Sequence, residues 1–177
     1  QDLLTLARRG VVQPVVLNLN TLIDRYLDSP EGMSLRTGYP EVSIDKQLAP
    51  DLLRMKGSQL HLQKTIMNLV VNAAEAQPRG GVIRLQTENR YLDQPLRGYD
   101  QVAEGEYVVL SVGDTGVGIA EADLARIFEP FFSKKQLGRS GTGLGMTVVW
   151  GTVMDHGGYI TVSSSEGKGT LFELYFP

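Results

Sequence analysis

One predicted helix limits the folds open to this chain more than any other segment. After Ser58, apolar residues recur at steps of four and three, at Leu62, Ile66, Leu69, Ala73 and Ala76. This period is typical of a helix with a single apolar face, and Ser58 is a residue type that caps helix N-termini. Pro78 and the Gly80-Gly81 pair end the pattern. Such a helix needs a second layer to cover its apolar face.

Alternating apolar residues predict strands around this helix. The predicted strands are 41–48, 52–56, 82–88, 107–114, 159–165 and 170–176. The first two form a predicted hairpin across Pro50, and the last two form one across the turn "EGKG". Because the strands come in pairs that can be antiparallel, and not in strict strand-helix alternation, the pattern predicts an α+β fold. One twisted sheet with helices on one face satisfies it.

Further helices are predicted at 20–35, with a break near Ser29-Pro30, at 121–128, and from Gly141 to the "HGG" at 156–158. Residues 1–12 carry a short amphipathic pattern that fits the tail of another helix. The chain starts without Met, so we expect it to be a piece of a longer protein.

The composition of the chain excludes several classes of site and disfavours others. The 177 residues fit one domain with a sizeable core. The formal net charge of −3 argues against nucleic-acid binding through a basic surface. The absence of cysteine excludes disulfides and thiolate metal sites and fits a reducing cytosol. No apolar run approaches the ~18 residues of a membrane span.

Asn68 and Asn72 share one face of the first helix because they are four residues apart, and Glu75 follows one step further. We expect this face to lie at the edge of the apolar stripe or away from it. Asparagine carbonyl oxygens suit a hard cation such as Mg²⁺ that is shared with phosphates. A polar, solvated helix face is the commoner explanation of such a pair.

Asp114 ends a predicted strand and is followed by Gly116 and Gly118. The glycines let a ligand approach the backbone closely. An ionised carboxylate only accepts hydrogen bonds, so Asp114 is suited to an exocyclic amine such as that of adenine. An ordinary turn between a strand and a helix is the alternative.

Aromatic and basic residues come together after residue 127. The aromatic residues around Pro130 predict a hydrophobic anchor for a loop, and the cations beyond them are either solvated or placed to reach phosphates. The aromatic residues are Phe128, Phe131 and Phe132, and the cations are Lys134, Lys135 and Arg139.

Alternate glycines at Gly141, Gly143 and Gly145 precede a predicted helix. They match neither the P-loop pattern nor G-x-G-x-x-G. They still expose several N–H groups to an anion at the positive end of the helix, whereas a flexible linker is the alternative. For His61 and His156 we expect surface or capping roles.

The order of these segments is more specific than any one of them. "NLVVNAAEA", "DTGVGI", "IFEPFFSKK", "GTGLGM" and "GKGT" resemble, in order and approximate spacing, the N, G1, F, G2 and G3 boxes of sensor histidine kinases. The resemblance covers about 42–177 and is to the catalytic ATP-binding domain that these kinases share with gyrase, MutL-type repair proteins and Hsp90 chaperones. It implies the Bergerat fold, a two-layer α/β sandwich with a mixed, mostly antiparallel sheet, helices on one face and a mobile ATP lid.

The resemblance also implies roles for individual residues. Asn72, with Asn68 beside it, resembles the asparagine that binds Mg²⁺, and Asp114 resembles the carboxylate that reads the adenine amine. The other residues implied to contact ATP are Gly116, Gly118, Ile119, Phe128, Phe131, Lys134, Lys135, Gly141, Thr142, Gly143, Leu144, Gly145 and Thr170. Residues 133–144 correspond to the lid, 16–177 to the ATP-binding domain, and 1–15 to the trailing end of a dimerisation helix or a linker.

The residue type at position 68 distinguishes the sensor kinases from the ATP-hydrolysing members that this chain also resembles. ATP-hydrolysing members carry a glutamate four residues before the metal-binding asparagine, and a neutral amide cannot take a proton from water. The resemblance therefore implies that ATP is held for transfer. The expected phosphoacceptor histidine lies outside this chain, because His61 is followed by Leu62 and not by an acidic residue. We expect the chain to bind Mg·ATP without autophosphorylating.

The implied parent protein is a homodimeric kinase whose catalytic domain works in the cytoplasm, whether or not a membrane anchors it. The phosphoryl group would pass to a histidine of its own dimerisation domain and then to an aspartate of a response regulator. Two other functions stay open: an ATP-driven clamp of the gyrase, MutL or Hsp90 type, and a non-catalytic interaction module. Asn68 disfavours the clamp, and the intact boxes disfavour the module.

Overall fold

The computed structural model describes residues 14–97, 101–129 and 145–177. The strands in these ranges are β1 (Val15–Leu17), β2 (Val42–Gln47), β3 (Met55–Gly57), β4 (Gly81–Leu92), β5 (Leu96–Arg97), β6 (Gln101–Val102), β7 (Gly105–Asp114), β8 (Tyr159–Ser165) and β9 (Gly169–Phe176). Five of them form the main sheet in the order β2-β4-β7-β9-β8. Only β2 and β4 pair in parallel there, so the predicted mixed, mostly antiparallel sheet is confirmed.

The hairpin predicted across Pro50 is wrong. β2 joins the edge of the main sheet beside β4, with Ile44 opposite Ile83. β3 pairs instead with β1 in a separate two-stranded sheet, with Met55 opposite Leu17. Alternation defines the two faces of a strand but does not define its partner.

Hydrogen bonds from the segment between β2 and β3 explain this outcome. The Ala49 N–H donates to Thr87 Oγ1 at 2.9 Å, and the Leu53 N–H donates to Asn89 Oδ1 at 2.9 Å. Both acceptors are side chains of β4, so the segment runs along β4 and does not turn back on β2.

The helices in the described ranges are α1 (Leu19–Asp28), α2 (Pro30–Gly38), α3 (Gln59–Glu75), α4 (Glu121–Leu124) and α5 (Gly145–Asp155). The predicted break at Ser29-Pro30 is confirmed, because Ser29 ends α1 and its side chain caps α2. Ser58 caps α3 as predicted and accepts the His61 N–H at 3.2 Å. None of these helices is long and apolar enough to cross a membrane.

The helix predicted over 121–128 is shorter than expected. α4 is a single turn, and Ala120 at its N-cap makes no side-chain hydrogen bond to the first turn. Turns and a bend continue from there to Glu129. A helix without a side-chain cap and without a buried residue has little to stabilise further turns.

The core lies between one face of the main sheet and the helices α1, α3 and α5. β7 shows the division between the two faces, because Val108 and Leu110 join this core whereas Tyr107 and Val109 join a second cluster on the opposite face. The largest side chains that are fully buried are Tyr26, Tyr175, Phe176, Leu19, Leu22, Ile23, Leu62, Ile66, Leu69, Ile83, Leu85 and Leu110. The predicted helix layer on one face is therefore confirmed.

The opposite face carries a polar network that joins β4 to β9 across β7. Arg90 on β4 donates through Nη1 to the Tyr175 hydroxyl at 2.5 Å and through Nη2 to Glu173 at 3.2 Å. Its Nε donates to Glu88 at 2.8 Å. Tyr107 packs edge-on against Tyr175 with ring centroids 5.5 Å apart. Apolar packing on one face and this polar network on the other therefore both stabilise the central strands.

Candidate functional site

Asp114 and Thr170, two of the predicted site residues, meet where β7 ends and β9 begins, and the loop that follows Asp114 reaches the end of α3. Asp114 is the last residue of β7 and pairs with Thr170 on β9. The chain after Asp114 then passes the last turn of α3, because the Val117 N–H donates to Ala76 O at 2.9 Å. Carboxylate, hydroxyl and helix side chains far apart in sequence are therefore brought to one edge of the sheet.

Asp114 is half-buried, and its carboxylate is oriented by the backbone that follows it. Its Oδ1 accepts the Gly116 N–H at 2.8 Å. Burial raises the pKa of the Asp114 carboxyl, and hydrogen bonds from the backbone of Gly116 and Thr170 partly oppose the rise. A carboxylate whose pKa is raised by burial, at the end of a strand, is a candidate for ligand recognition.

Two glycines allow the close approach of backbone segments at this edge. A Cβ on Gly116 would collide with Ala76 O, and a Cβ on Gly118, where φ is +75°, would collide with Ser165 O. The glycines therefore let the loop after Asp114 lie against both α3 and the β8–β9 turn. The sequence predicted a close approach of a ligand to these glycines, which stays a prediction, whereas the close contacts in the structure are with the protein's own backbone.

Ser164 was missed by sequence reasoning. Its hydroxyl donates to Gly169 O at 2.9 Å and accepts the Ile119 N–H at 2.7 Å. It also lies 2.9 Å from Thr170 Oγ1. Because the single Ser164 proton is used on Gly169 O, the Thr170 hydroxyl has to donate to Ser164. One serine thus fixes Ile119 and Thr170 together.

Gln77 was also missed, since a glutamine after a helix has no special pattern. It is 2% exposed. Its Oε1 accepts from Val82 N at 3.0 Å, from Thr115 N at 3.2 Å and from Thr115 Oγ1 at 2.8 Å. Its Nε2 donates to Ala73 O at 3.1 Å. This side chain joins α3, β4 and the loop after Asp114.

Asn68 and Asn72 are half-buried at the edge of the apolar stripe of α3, as expected. The Asn68 side chain donates through Nδ2 to Gly145 O at 3.4 Å, at the start of α5. Glu75, expected on the same polar edge, is 8% exposed. Asn68 therefore faces the beginning of α5, whereas Glu75 belongs to the interior.

Phe128 is the one member of the predicted aromatic anchor that lies in the described ranges. It is buried and packs against Phe172 with ring centroids 6.5 Å apart. Its carbonyl oxygen accepts the Thr147 hydroxyl at 3.0 Å. These contacts tie the chain before residue 130 to both β9 and α5.

Several predicted residues lie outside the described ranges. They are Phe131, Phe132, Lys134, Lys135, Arg139, Gly141, Thr142, Gly143 and Leu144. The predicted lid at 133–144 lies outside them as well.

His156 and His61 differ. His61 is exposed. His156 is half-buried, and its Nε2 accepts the N–H of Ser58 at 3.1 Å while its Nδ1 lies 2.7 Å from Thr152 O. Nδ1 therefore carries the proton, and the ring joins the end of α5 to the cap of α3. The capping role expected of a histidine fits His156.

A cleft of about 220 Å³ lies elsewhere, beside β1 and the start of α1. Its lining includes Arg25 and Arg54 but none of the predicted site residues. It does not contribute to the candidate site.

The described residues fit an adenine nucleotide with a hard cation. Asp114 offers an acceptor for an amine, and the glycine loop after it packs against α3 and the end of β8 at the same edge. In the described ranges no three His, Asp or Glu side chains gather into a metal site. Asn68 and Asn72 carry amide oxygens of the kind that could hold Mg²⁺.

Family profiles and solved structures agree with this geometry. The profile of the family described as "Histidine kinase-, DNA gyrase B-, and HSP90-like ATPase" matches residues 57–177. The catalytic domain of the histidine kinase ThkA superposes with a TM-score of 0.73 and 26% identity, covering 94% of this chain and 96% of that domain.

Two curated relatives align over almost the whole chain. The sensor kinase CckA of Brucella abortus (strain 2308) is 36% identical over 100% of this chain and 18% of its own length. The sensor histidine kinase ZraS of Klebsiella oxytoca is 32% identical over 99% of this chain and 34% of its own length. The chain thus spans about a fifth to a third of the relatives it matches.

Proposed function

Because the chain belongs to the family of histidine kinase-, DNA gyrase B- and HSP90-like ATPases, we propose that it binds Mg·ATP and presents the γ-phosphoryl group to a histidine. The sensor kinases it resembles are homologues over its full length and support this choice within the family. The observation that carries the proposal is the half-buried Asp114 at the sheet edge, whose following loop packs against the end of the helix that carries the amide pair.

Asp114 reads the base in this proposal. Its ionised carboxylate accepts the adenine amine, and guanine lacks an amine at that position. Thr170, held by Ser164, and the loop through Gly116, Gly118 and Ile119 form the surrounding wall. Hydrogen bonds within this wall limit the freedom that the pocket would lose on binding the base.

Asn72, with Asn68 beside it, would hold Mg²⁺ through side-chain oxygens. The bound cation supplies neutralisation of the phosphate charge and fixes the orientation of the phosphates. Asn68 cannot serve as a general base for water, because a neutral amide does not accept a proton. The chain's own part in catalysis is positioning, which suits transfer to a held acceptor better than hydrolysis.

The segments outside the described ranges complete the proposal. Residues 133–144 act as the ATP lid, with Lys134 or Lys135 at the phosphates and the glycines of 141–145 at the start of α5. Phe131 joins Phe128 in anchoring the lid. Residues 16–177 form the ATP-binding domain, and 1–15 belong to the end of a dimerisation helix or a linker.

The partners follow from this activity. The acceptor histidine lies on the dimerisation domain of a homodimeric parent protein, and the phosphoryl group passes from it to an aspartate in the receiver domain of a response regulator. No nucleic-acid partner is proposed, since the net charge is −3.

Calorimetry of the 177-residue chain tests the proposal. Mg·ATP should bind, Mg·GTP should bind much more weakly, and labelled ATP should leave no phosphate on the chain alone. Adding the dimerisation domain of the parent protein should restore histidine labelling. Absence of Mg·ATP binding at millimolar nucleotide would contradict the proposal and favour a non-catalytic interaction module.

An ATP-driven clamp is the second candidate, because the matched family includes gyrase B and HSP90. Steady ATP hydrolysis by the chain, abolished by Asn68→Ala, would favour the clamp. ATP binding without turnover favours the kinase.

A further inference from the structure

Gln77 occupies the point where three parts of the candidate site meet. It follows α3 directly and is 2% exposed. Through one side-chain amide it contacts Ala73 in the last turn of α3, Val82 near the start of β4, and Thr115 after β7. Thr115 lies between Asp114 and Gly116, so this contact reaches the backbone beside the carboxylate proposed to read the base.

The orientation of the Gln77 amide is fixed by its partners. Its Oε1 faces the backbone N–H groups of Val82 and Thr115, and only an oxygen can accept from both. Its Nε2 donates to Ala73 O. The oxygen and the nitrogen of this buried amide are therefore both used in joining α3 to β4 and to the loop.

Neighbouring glycines make room for this side chain. A Cβ on Gly81 would collide with Gln77 Oε1, and a Cβ on Gly116 would come within 2.9 Å of Gln77 Cγ. The same Cβ on Gly116 would collide with Ala76 O. Gly116 is thus required for seating the loop on Ala76 and Gln77.

We propose that Gln77 is a positioning residue that sets nucleotide-base selectivity by holding the loop of Asp114 at a fixed place against α3. Gln77 touches no part of the ligand in this role. It acts through Thr115, whose N–H and hydroxyl both donate to it. The inference rests on the proposed reading of adenine by Asp114.

Three variants separate positioning from general stability. Gln77→Met keeps the length of the side chain but leaves the amides of Val82 and Thr115 without their acceptor. Thr115→Val removes only the hydroxyl contact of an exposed residue. Gln77→Glu reproduces the full set of hydrogen bonds when its buried carboxyl is protonated, and places a carboxylate oxygen against Ala73 O when it is ionised.

Thr87→Val is the matched control. Thr87 is also buried in β4 and joins separate segments, since it accepts from Ala49 N and donates to Asn20 Oδ1 at 2.7 Å. Its loss should lower stability without changing the preference for ATP over GTP.

Two measurements on the 177-residue chain test whether Gln77 positions the loop of Asp114. Hydrogen exchange of the Thr115 amide, without nucleotide, should become at least about tenfold faster in Gln77→Met relative to the amides of β8 and β9. The ratio of Mg·ATP to Mg·GTP affinity should fall about tenfold in the same variant and less in Thr115→Val. In Gln77→Glu the ratio should approach the wild-type value at pH 5.5 and fall toward pH 9.

The outcomes distinguish this inference from the proposed function. An ATP-to-GTP ratio within twofold of wild type in folded Gln77→Met and Thr115→Val, or unchanged exchange at Thr115, overturns the positioning role. A wild-type chain that binds neither nucleotide, with Thr115 exchange still responding to Gln77→Met, refutes the proposed function and base selectivity while retaining Gln77 as the anchor of the loop.

Discussion

The two ends of the candidate site are built differently. At the end proposed to bind the base, Gln77 after α3 and Ser164 on β8 hold the loop after Asp114 with hydrogen bonds of 2.7–3.2 Å. At the end proposed to bind the phosphates, α3 meets the start of α5 through the Asn68 contact to Gly145 O, which at 3.4 Å is long for a hydrogen bond. A closely bonded base pocket can select a ligand with little rearrangement, whereas a long contact is easily remade when phosphates and a cation arrive.

The largest loss of nucleotide affinity is expected from a change in Asp114, at the end proposed to bind the base. Asp114→Asn replaces an acceptor-only group by one that also presents donors, so affinity for Mg·ATP should fall by about 2 kcal/mol, roughly 30-fold. Affinity for Mg·GTP should change little. Calorimetry with both nucleotides measures the difference, and Asp45→Asn on β2 is the control. Equal losses for ATP and GTP would remove Asp114 from base recognition.

The next prediction tests the proposed binding of Mg²⁺ by Asn72. Asn72→Ala removes a proposed oxygen ligand of Mg²⁺, so the gain in ATP affinity on adding Mg²⁺ should shrink about tenfold. ATP titrations with Mg²⁺ and with EDTA measure this gain. Asn89→Ala, an asparagine of β4 outside the site, should leave it unchanged. An unaltered metal dependence in Asn72→Ala would argue against the assignment.

A smaller loss of ATP affinity is expected from a change in Ser164, at the end proposed to bind the base. Ser164→Ala removes the acceptor for Ile119 N and the partner of Thr170, which should lower ATP affinity by about 1 kcal/mol, roughly fivefold. Ser163→Ala changes the preceding residue, which is exposed and points to the opposite face of β8. Equal affinities of the two variants would show that the Ser164 hydroxyl does not shape the pocket.

The smallest effect concerns the second link between α3 and α5. His156 accepts from Ser58 N only when its Nε2 is unprotonated, and burial lowers the pKa of His156. The hydrogen bond to Thr152 O and the charge of Asp155 oppose that shift, whereas His61 adds to it.

Since the folded pKa lies below the unfolded value of about 6.5, the unfolded chain binds the proton first as pH falls. The contribution of His156 to the free energy of unfolding is complete above pH ~7 and is lost as pH falls through the folded pKa. It should amount to at most about 1 kcal/mol. Urea unfolding between pH 5 and 8 should show a weaker pH dependence in His156→Gln than in wild type. His61→Gln, at an exposed histidine, should retain most of the wild-type dependence.

Local sequence patterns predicted the parts of the fold that are determined locally. The cap at Ser58 and the four-and-three spacing define α3, and "EGKG" between two alternating segments defines the β8–β9 hairpin. The predicted pairing of β2 with β3 was wrong. The partner of β2 is decided by contacts such as that of Ala49 with Thr87, which lies 38 residues away in the sequence. No spacing rule contains that information.

The candidate site was predictable to the extent that its residues occur in ordered boxes. Asp114, Asn68 and Thr170 do so. The register of β7 and β9 places Asp114 opposite Thr170, whereas Asn68 lies on α3 and contacts Gly145 O. Gln77 and Ser164 were missed because their importance comes from burial and from partners far along the chain. Polar residues of this kind look ordinary until the neighbouring backbone is known.

The proposed reading of adenine by Asp114 depends on the register of β7 against β9. Asp114 stands opposite Thr170 only because Val108 stands opposite Phe176 at the other end of the same ladder. A slip of one residue would exchange the two faces and turn the carboxylate away from the proposed pocket. The Arg90 bonds to Glu173 and Tyr175, on the face of the sheet away from the helices, therefore help to keep the proposed binding group aligned.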